Sequence, residues 1–329
     1  MLKNLLLAAV CAAGLAAPAA AADPTVIKFG FSSAVDLEND NGATALLFKD
    51  YVESHSDTLK VEIYGSSEIG GDQDVIQALQ LGSGATMHIG GTANYNTFVQ
   101  RVGVLDLPFL WKDYAHVARA LDGEAGDVLR AEFEAAGFKV LGFGFSWGYR
   151  NVVTKGVEVT KPGDLAGLKL RTIQSPIYVA AINAMGANAT PMAFNEVYTA
   201  LQTGVLDGFE HAASMVYSAK LYEVTDHVAL TRHLFGPTVM TYSLPLWNQL
   251  SEEQQKVVQD GANFALEVAR AMAPGREQEA LDKLVEVGMT ITEVDTSDFV
   301  AAAKPLQDEL AGEIGSSDIL ESIRAAASM

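Results

Sequence analysis

Short β-branched or alternating runs, separated by amphipathic helical stretches, recur along most of this chain, and that alternation restricts it to an α/β architecture with largely parallel sheets. The runs are TVIKFGFS (25–32), KVEIYG (60–65), ATMHIGG (85–91), FKVLGFGF (138–145), RNVVTK (150–155), LKLRTI (168–173) and MTITEV (289–294). Apolar residues at three- and four-residue spacing, with glycine at several exits, predict helices over 41–55, 72–82, 115–137 (two pieces), 175–186 and 194–204. After Pro245 the texture changes to one long helical run, 251–288, which opens on the capping pattern Ser251-x-x-Gln254. Pro274 is expected to kink or divide it. A further strand and an Ala-rich helical tail, Phe299 to Ala327, complete the chain.

With 329 residues, 49% of them hydrophobic, the chain exceeds what one core absorbs, so two lobes with a cleft between them are expected. No Pro/Ser linker separates them, which predicts shared crossover strands and a long helix packed across both. The expected division is a leader at 1–22, a first lobe over 23–147, a second over 148–236, a return to the first over 237–276, and a return to the second over 277–329. One internal echo has two readings, a paired plan or coincidence between two amphipathic helices: VIQALQLG (75–82) followed by SGATMHIGG is similar to VYTALQTG (197–204) followed by VLDGFEHAA. Each reads as helix, glycine exit, strand and polar turn, which would bring an equivalent strand end to the same cleft.

The first residues place Lys3, an apolar run and then AAAAD in the order of a secretory signal peptide, with cleavage expected near Ala22. Cys11 lies too early in that run, behind Val10, to suit a lipid anchor. It is the sole cysteine, so cleavage leaves a mature chain without thiol or disulfide chemistry. The formal charge of −19 makes nucleic acid and anionic lipid surfaces poor partners. An arginine reserved for an anionic ligand must then act locally.

Metalloprotease and phosphate-loop signatures are missing: there is no H-E-x-x-H and no glycine-rich loop ending in G-K-[ST], and the glycines at 142, 144 and 148 do not form a dinucleotide fingerprint. No cofactor or metal is expected. Glu210 and His211 are adjacent, which on a strand sends them to opposite faces. Arg171, in LKLRTIQSP, follows inward-pointing leucines and precedes the helix opened by Pro176. Its guanidinium can grip a carboxylate with two parallel hydrogen bonds, or serve an ordinary salt bridge. Arg150, in FSWGYRNVVTK, carries the same two readings, and Trp147 beside it suits either a core or a cleft wall.

The run GLKLRTIQSPIYVAAINAMGANATPMAFNEVYTALQTGVLDGFEH (167–211) resembles the signature region of the DctP-type solute-binding proteins of tripartite ATP-independent periplasmic (TRAP) transporters. KFGFSSA, YGSSEIGGDQDVIQALQLG, LDLPFLW, YRNVVTKGVEVTKPGDLAGLKLR and LSEEQQKVVQDGA extend the resemblance over the mature chain. It implies a two-lobed, type II periplasmic-binding-protein-like fold with crossover strands as hinge and a long C-terminal helix spanning both lobes. It also implies a non-enzymatic role in the periplasm, capturing a small organic acid anion for integral membrane permease subunits. Arg171 would clamp the ligand carboxylate, Arg150 would add a second cationic contact, Phe194 would close on the ligand and Gln174 would reach its oxygens. Asp72, Asn94, Trp147, His211 and Glu210 complete the expected ligand contacts. The sequence departs from the pattern at His211, where relatives carry Asn in a Q-E-N-P string, and at Gly91 and Asn94, where sialic-acid-binding relatives carry a charged pair. Sialic acid is therefore not expected. His211 could act as a neutral ring or as a cation for a second acidic group. The rival readings are an ATP-driven importer's binding protein, a sensory module, and a hydrolase or lyase using His211 with Glu210.

Overall fold

The computed structural model describes residues 23–145 and 147–328; the leader reading, with Cys11, lies outside them. The elements are β1 Thr25–Gly30, α1 Asp40–His55, β2 Leu59–Tyr64, α2 Asp72–Leu81, β3 Met87–Gly91, α3 Tyr114–Leu121, α4 Glu124–Ala135, β4 Phe138–Gly144 and β5 Tyr149–Thr154. They continue as β6 Lys169–Thr172, α5 Pro176–Ala184, β7 Asn188–Pro191, α6 Val197–Gln202, β8 Gly208–His211, α7 Ala213–Ser218, β9 His227–Phe235 and β10 Thr238–Ser243. The chain closes with α8 Leu244–Trp247, α9 Glu252–Glu286, β11 Thr290–Glu293, α10 Ser297–Ala303, α11 Leu306–Glu313 and α12 Ser317–Ala326.

These strands form two sheets, ordered β2-β1-β3-β10-β4 and β11-β9-β5-β8-β6-β7. Both follow one plan. Three parallel strands, β2-β1-β3 or β7-β6-β8, are flanked by an antiparallel pair, β10-β4 or β5-β9. The sequence echo falls on equivalent units, α2 with β3 and α6 with β8. The sheets are therefore more mixed than expected, because β4 and β9 each cross to the other lobe and leave antiparallel partners behind.

The crossovers run side by side. β4 passes to β5 through residues 145–148, and β9 passes to β10 through Gly236 and Pro237. The Gly236 N–H donates to the Gly148 carbonyl (2.9 Å), which ties the two connections together. Strands β9 and β10 are hard to read from sequence, because Thr231, His233, Thr238 and Thr241 are buried within them rather than marking a solvated loop.

The helix α9 spans 35 residues, with Ser251 Oγ accepting from Gln254 N–H (3.2 Å) as the capping pattern predicts. It packs on α1 and β4 of the first lobe and on α7 and β11 of the second. Gly261 permits the close approach to α1, since a Cβ there would stand 3.0 Å from Val52 and 3.1 Å from Tyr51. The expectation that Pro274 divides this helix is corrected: the helix continues through it. Pro274 and Gly275 are exposed, so the carbonyl deprived of its N–H partner meets water.

The assignment of 277–329 to the second lobe also needs correction. β11 and α10 do join that lobe, against β9 and α5. The last two helices return to the first: Leu310, Ile319, Leu320 and Ile323 share a core with Leu121, Leu129 and Phe133. His116 and Arg119 on α3 bond the closing carbonyls of α12, Ile323 and Ala326, each at 2.8 Å.

Gly148 sits in the crossover at φ +62°, and a Cβ there would collide with Tyr114 Oη, itself bonded to Glu277 (2.7 Å). Gly148→Ala should cost roughly 1–3 kcal/mol of stability, read as a lower midpoint in chemical denaturation. An unchanged midpoint would contradict the tight fit of Gly148 against Tyr114.

Candidate functional site

The carboxyl ends of β1, β3, β6, β7 and β8 converge on the cleft, and the side chains that follow them line it. A cavity of about 240 Å³ is walled by Ser32, Asp72, Gln73 and Asn94 from the first lobe and by Arg171, Gln174, Phe194 and Asn195 from the second. A smaller chamber of about 20 Å³ shares Ser32, Asp72, Asn94, Arg171 and Phe194 with it and reaches Trp147, His211 and Met215. The lobes already touch around this space. Asn96 Nδ2 donates to Ser175 Oγ (2.5 Å), and Asn39 Nδ2, on the residue that caps α1, donates to Ser218 Oγ (3.2 Å).

Arg171 is positioned by the β6–β7 pairing, which brings the carbonyl of Met192 beneath its guanidinium. Nε and Nη2 both donate to that oxygen, at 2.9 and 2.7 Å, while Nη1 is buried without a partner. The Phe194 ring lies 5.7 Å from the guanidinium carbon. Burial, with the charge of Arg150 in support, lowers the Arg171 pKa to about 10, which still leaves it a cation at neutral pH. One face of this fork is thus fixed and the other is open for an acceptor.

Opposite stands Asp72, in the first turn of α2. Its Oδ1 accepts from Ser32 N–H (3.1 Å) and His88 Nε2 (3.1 Å), and its Oδ2 from Ser32 Oγ (2.7 Å) and Asn94 Nδ2 (3.2 Å). Burial opposes its charge, yet the hydrogen bonds from His88 and Ser32 hold the carboxyl below its ordinary range. Gln174, also expected from sequence, lines the cavity on an exposed turn.

The structure places Arg150 and Glu210 elsewhere, and the expectation that they contact ligand is corrected. Both are fully buried behind the cavity: Arg150 Nε meets Glu210 Oε2 at 2.5 Å, and Nη2 meets Oε1 at 2.8 Å. Trp147 and Tyr178 cover the guanidinium at 5.7 and 5.1 Å. Burial alone would raise the Glu210 carboxyl, but Arg150 holds it down at about 2. A local sequence reading cannot see this pairing, since the partners lie on β5 and β8 and meet only through the sheet register Val152↔Glu210. Glu210 is thereby removed from any acid–base couple with His211.

His211 reaches the inner chamber between Trp147 and Phe194, with ring centroids 5.0 and 5.6 Å away. Its Nδ1 accepts from the Ala212 N–H (2.8 Å), so Nε2 carries the proton. Burial, then the charges of Arg150 and Arg171, push its pKa well below the usual range, so the ring is neutral. Ser32, Gln73, Asn195 and His88 were not anticipated from sequence. The available signal was position, since Ser32 and Asn195 lie past the carboxyl ends of β1 and β7, and Arg171 lies near that of β6.

Residues 31–313 match the family model DctP, described as bacterial extracellular solute-binding protein, family 7. The chain belongs to the DctP family of solute-binding proteins. It is 34% identical over 276 residues to the 2,3-diketo-L-gulonate-binding periplasmic protein of Escherichia coli K12, covering 83% of each chain. It is 31% identical over 306 residues to the C4-dicarboxylate-binding periplasmic protein of Rhodobacter capsulatus, covering 91% of this chain and 90% of that one. Its fold matches the sugar acid binding protein of Advenella mimigardefordensis in complex with galactonate, with a TM-score of 0.87, 29% identity, and coverage of 92% and 99% of the two chains. These relatives are all named as binding proteins, and the chain is a solute-binding protein of their family.

Glu210→Gln leaves Arg150 buried and uncompensated, and should cost about 3–5 kcal/mol in urea unfolding at neutral pH. Because the folded-state pKa is depressed from 4.5 to about 2, its stabilisation is complete above 4.5 and is lost as pH falls towards 2. The variant should therefore lose less stability than the wild type over that acid window.

Proposed function

We propose that this DctP-family chain captures a small organic acid anion in the periplasm, with the ligand carboxylate on Arg171, and presents it unaltered to the integral membrane subunits of a TRAP permease. One observation carries the reading: a buried, permanently charged guanidinium has two nitrogens held by the Met192 carbonyl while Nη1 lies without a partner. A carboxylate in the adjoining cavity supplies what that nitrogen lacks. The relatives named for diketogulonate, C4-dicarboxylate and galactonate are all partnered by carboxylates.

Other residues take supporting roles. Phe194 and Trp147 wall the ligand with apolar rings, Gln174 offers an amide from the rim, and neutral His211 donates from Nε2 into the inner chamber. The leader pattern at 1–22, a basic start, an apolar run and a small-residue exit, supports export, and among the described residues no helix is long and apolar enough to cross a membrane. Rotation about the paired crossovers at 145–148 and 236–237 would open the cleft. An anion drives closure to the extent that it bonds the closed arrangement better than the open one, and charged hydrogen bonds buried on closure supply that difference.

The test is a thermal-shift panel of carboxylates, sulfonates and phosphates. A cognate acid at 100 times its Kd should add ~2.7 kcal/mol of stability, and Arg171→Ala should abolish the shift. Mass spectrometry should recover the acid unchanged. Undiminished affinity in Arg171→Ala would overturn the carboxylate seat, and a new product would overturn the binding-protein reading.

A further inference from the structure

We infer that Asp72, fed by a buried hydrogen-bond chain, is a specificity-determining residue that makes the first-lobe wall select acids with a single carboxylate and a hydroxylated tail, and reject dicarboxylates. The inference rests on the Arg171 reading above, which seats the one carboxylate.

The argument begins with hydrogen direction. An ionised carboxylate only accepts, so every group against Asp72 must turn a hydrogen towards it. Ser32 spends its single hydroxyl hydrogen on Oδ2 (2.7 Å), and Asn94 must aim its NH₂ at the same oxygen (3.2 Å). What these side chains leave for the cavity is mainly acceptor capacity, the Ser32 Oγ lone pairs and the Asn94 Oδ1, beside one remaining Asn94 amide hydrogen. The pattern extends inward. In its neutral form, a His88 ring that donates from Nε2 to Asp72 leaves Nδ1 to accept from Tyr95 Oη (2.8 Å), which also pairs with Thr241 Oγ1 (2.6 Å). His88, Tyr95 and Thr241 are all fully buried, so the chain cannot reorient through water. In that form the His88 and Tyr95 protons point towards Asp72.

A wall of acceptors around a fixed negative charge binds ligand donors, meaning hydroxyl groups, and repels a second anion. The amino end of α2 would favour an anion, but it is already occupied by acids. Asp74 accepts from the Gly71 N–H (3.0 Å), and Asp72 and Asp74 both line the cavity. No cation offsets them from the first lobe among the residues lining it, and His211 on the far side is neutral. The cavity is thus polarised, with its cation at one end and acceptors at the other.

The test uses matched pairs that differ only by oxidation of the terminal hydroxymethyl group, galactonate with galactarate and an erythronate with the corresponding tartrate, measured by calorimetry alongside the panel above. The expected result is that the tightest acid found carries one carboxylate and at least one hydroxyl, with its dicarboxylate counterpart ~100-fold weaker. Asp72→Asn should shrink that ratio to within ~10-fold, chiefly by improving the dicarboxylate. Asn94→Ala, which leaves the charge in place, should weaken the hydroxylated acid while preserving the exclusion, and it keeps the inference testable if Asp72→Asn fails to fold. A tightest ligand with two carboxylates or without hydroxyls, or a ratio unchanged in Asp72→Asn, overturns this inference and leaves the Arg171 seat standing. Binding of no carboxylate at all overturns both.

Discussion

A guanidinium withdrawn from water must be paid back locally, and most of what surrounds this cleft follows from that demand. Arg171 is buried with one nitrogen unpartnered, a costly state in a low-dielectric interior. Its other nitrogens share the Met192 carbonyl, Phe194 lies beside it, and the charges of Glu210 and Asp72 raise its pKa against burial. The deficit left over is specific in shape and sign. That unpartnered nitrogen is the feature on which the proposed carboxylate seat rests.

The second buried cation shows the opposite solution. Arg150 is ion-paired with Glu210 through Nε and Nη2, with Trp147 and Tyr178 packed on its guanidinium, and only its Nη1 is left unpartnered. Burial, with the charges of Arg150 and Arg171, keeps His211 neutral. One arginine thus tunes the site without touching what enters it. The two lobes divide the remaining labour: the second carries the cation, and the first carries Asp72 with acceptors turned outward.

The repeated sheet plan explains why the site falls where it does. Each lobe offers the carboxyl ends of three parallel strands, and the antiparallel pairs β10-β4 and β5-β9 join the lobes through two neighbouring crossovers. The helix α9 packs along both lobes and the last two helices return to the first, so the lobes are joined at more places than the two crossovers.

Much of this was legible in the chain itself. Alternation of short β-branched runs and amphipathic helices determined the α/β class, the Ser251 cap marked the start of α9, and the setting of Arg171 at a strand end pointed to an anion. Those features depend on neighbours within a few residues. The buried strands β9 and β10, the continuity of α9 through Pro274, and the return of α11 and α12 to the first lobe depend on which side of each element meets water, and local sequence does not state that. Likewise, whether an arginine faces a cavity or a buried glutamate was decided by strand register, because Arg150 and Glu210 lie 60 residues apart and become neighbours only when β5 pairs with β8. Tertiary structure made the final choice wherever charge had to be balanced across distance, since desolvation depends on every group within reach and not on the order of the chain.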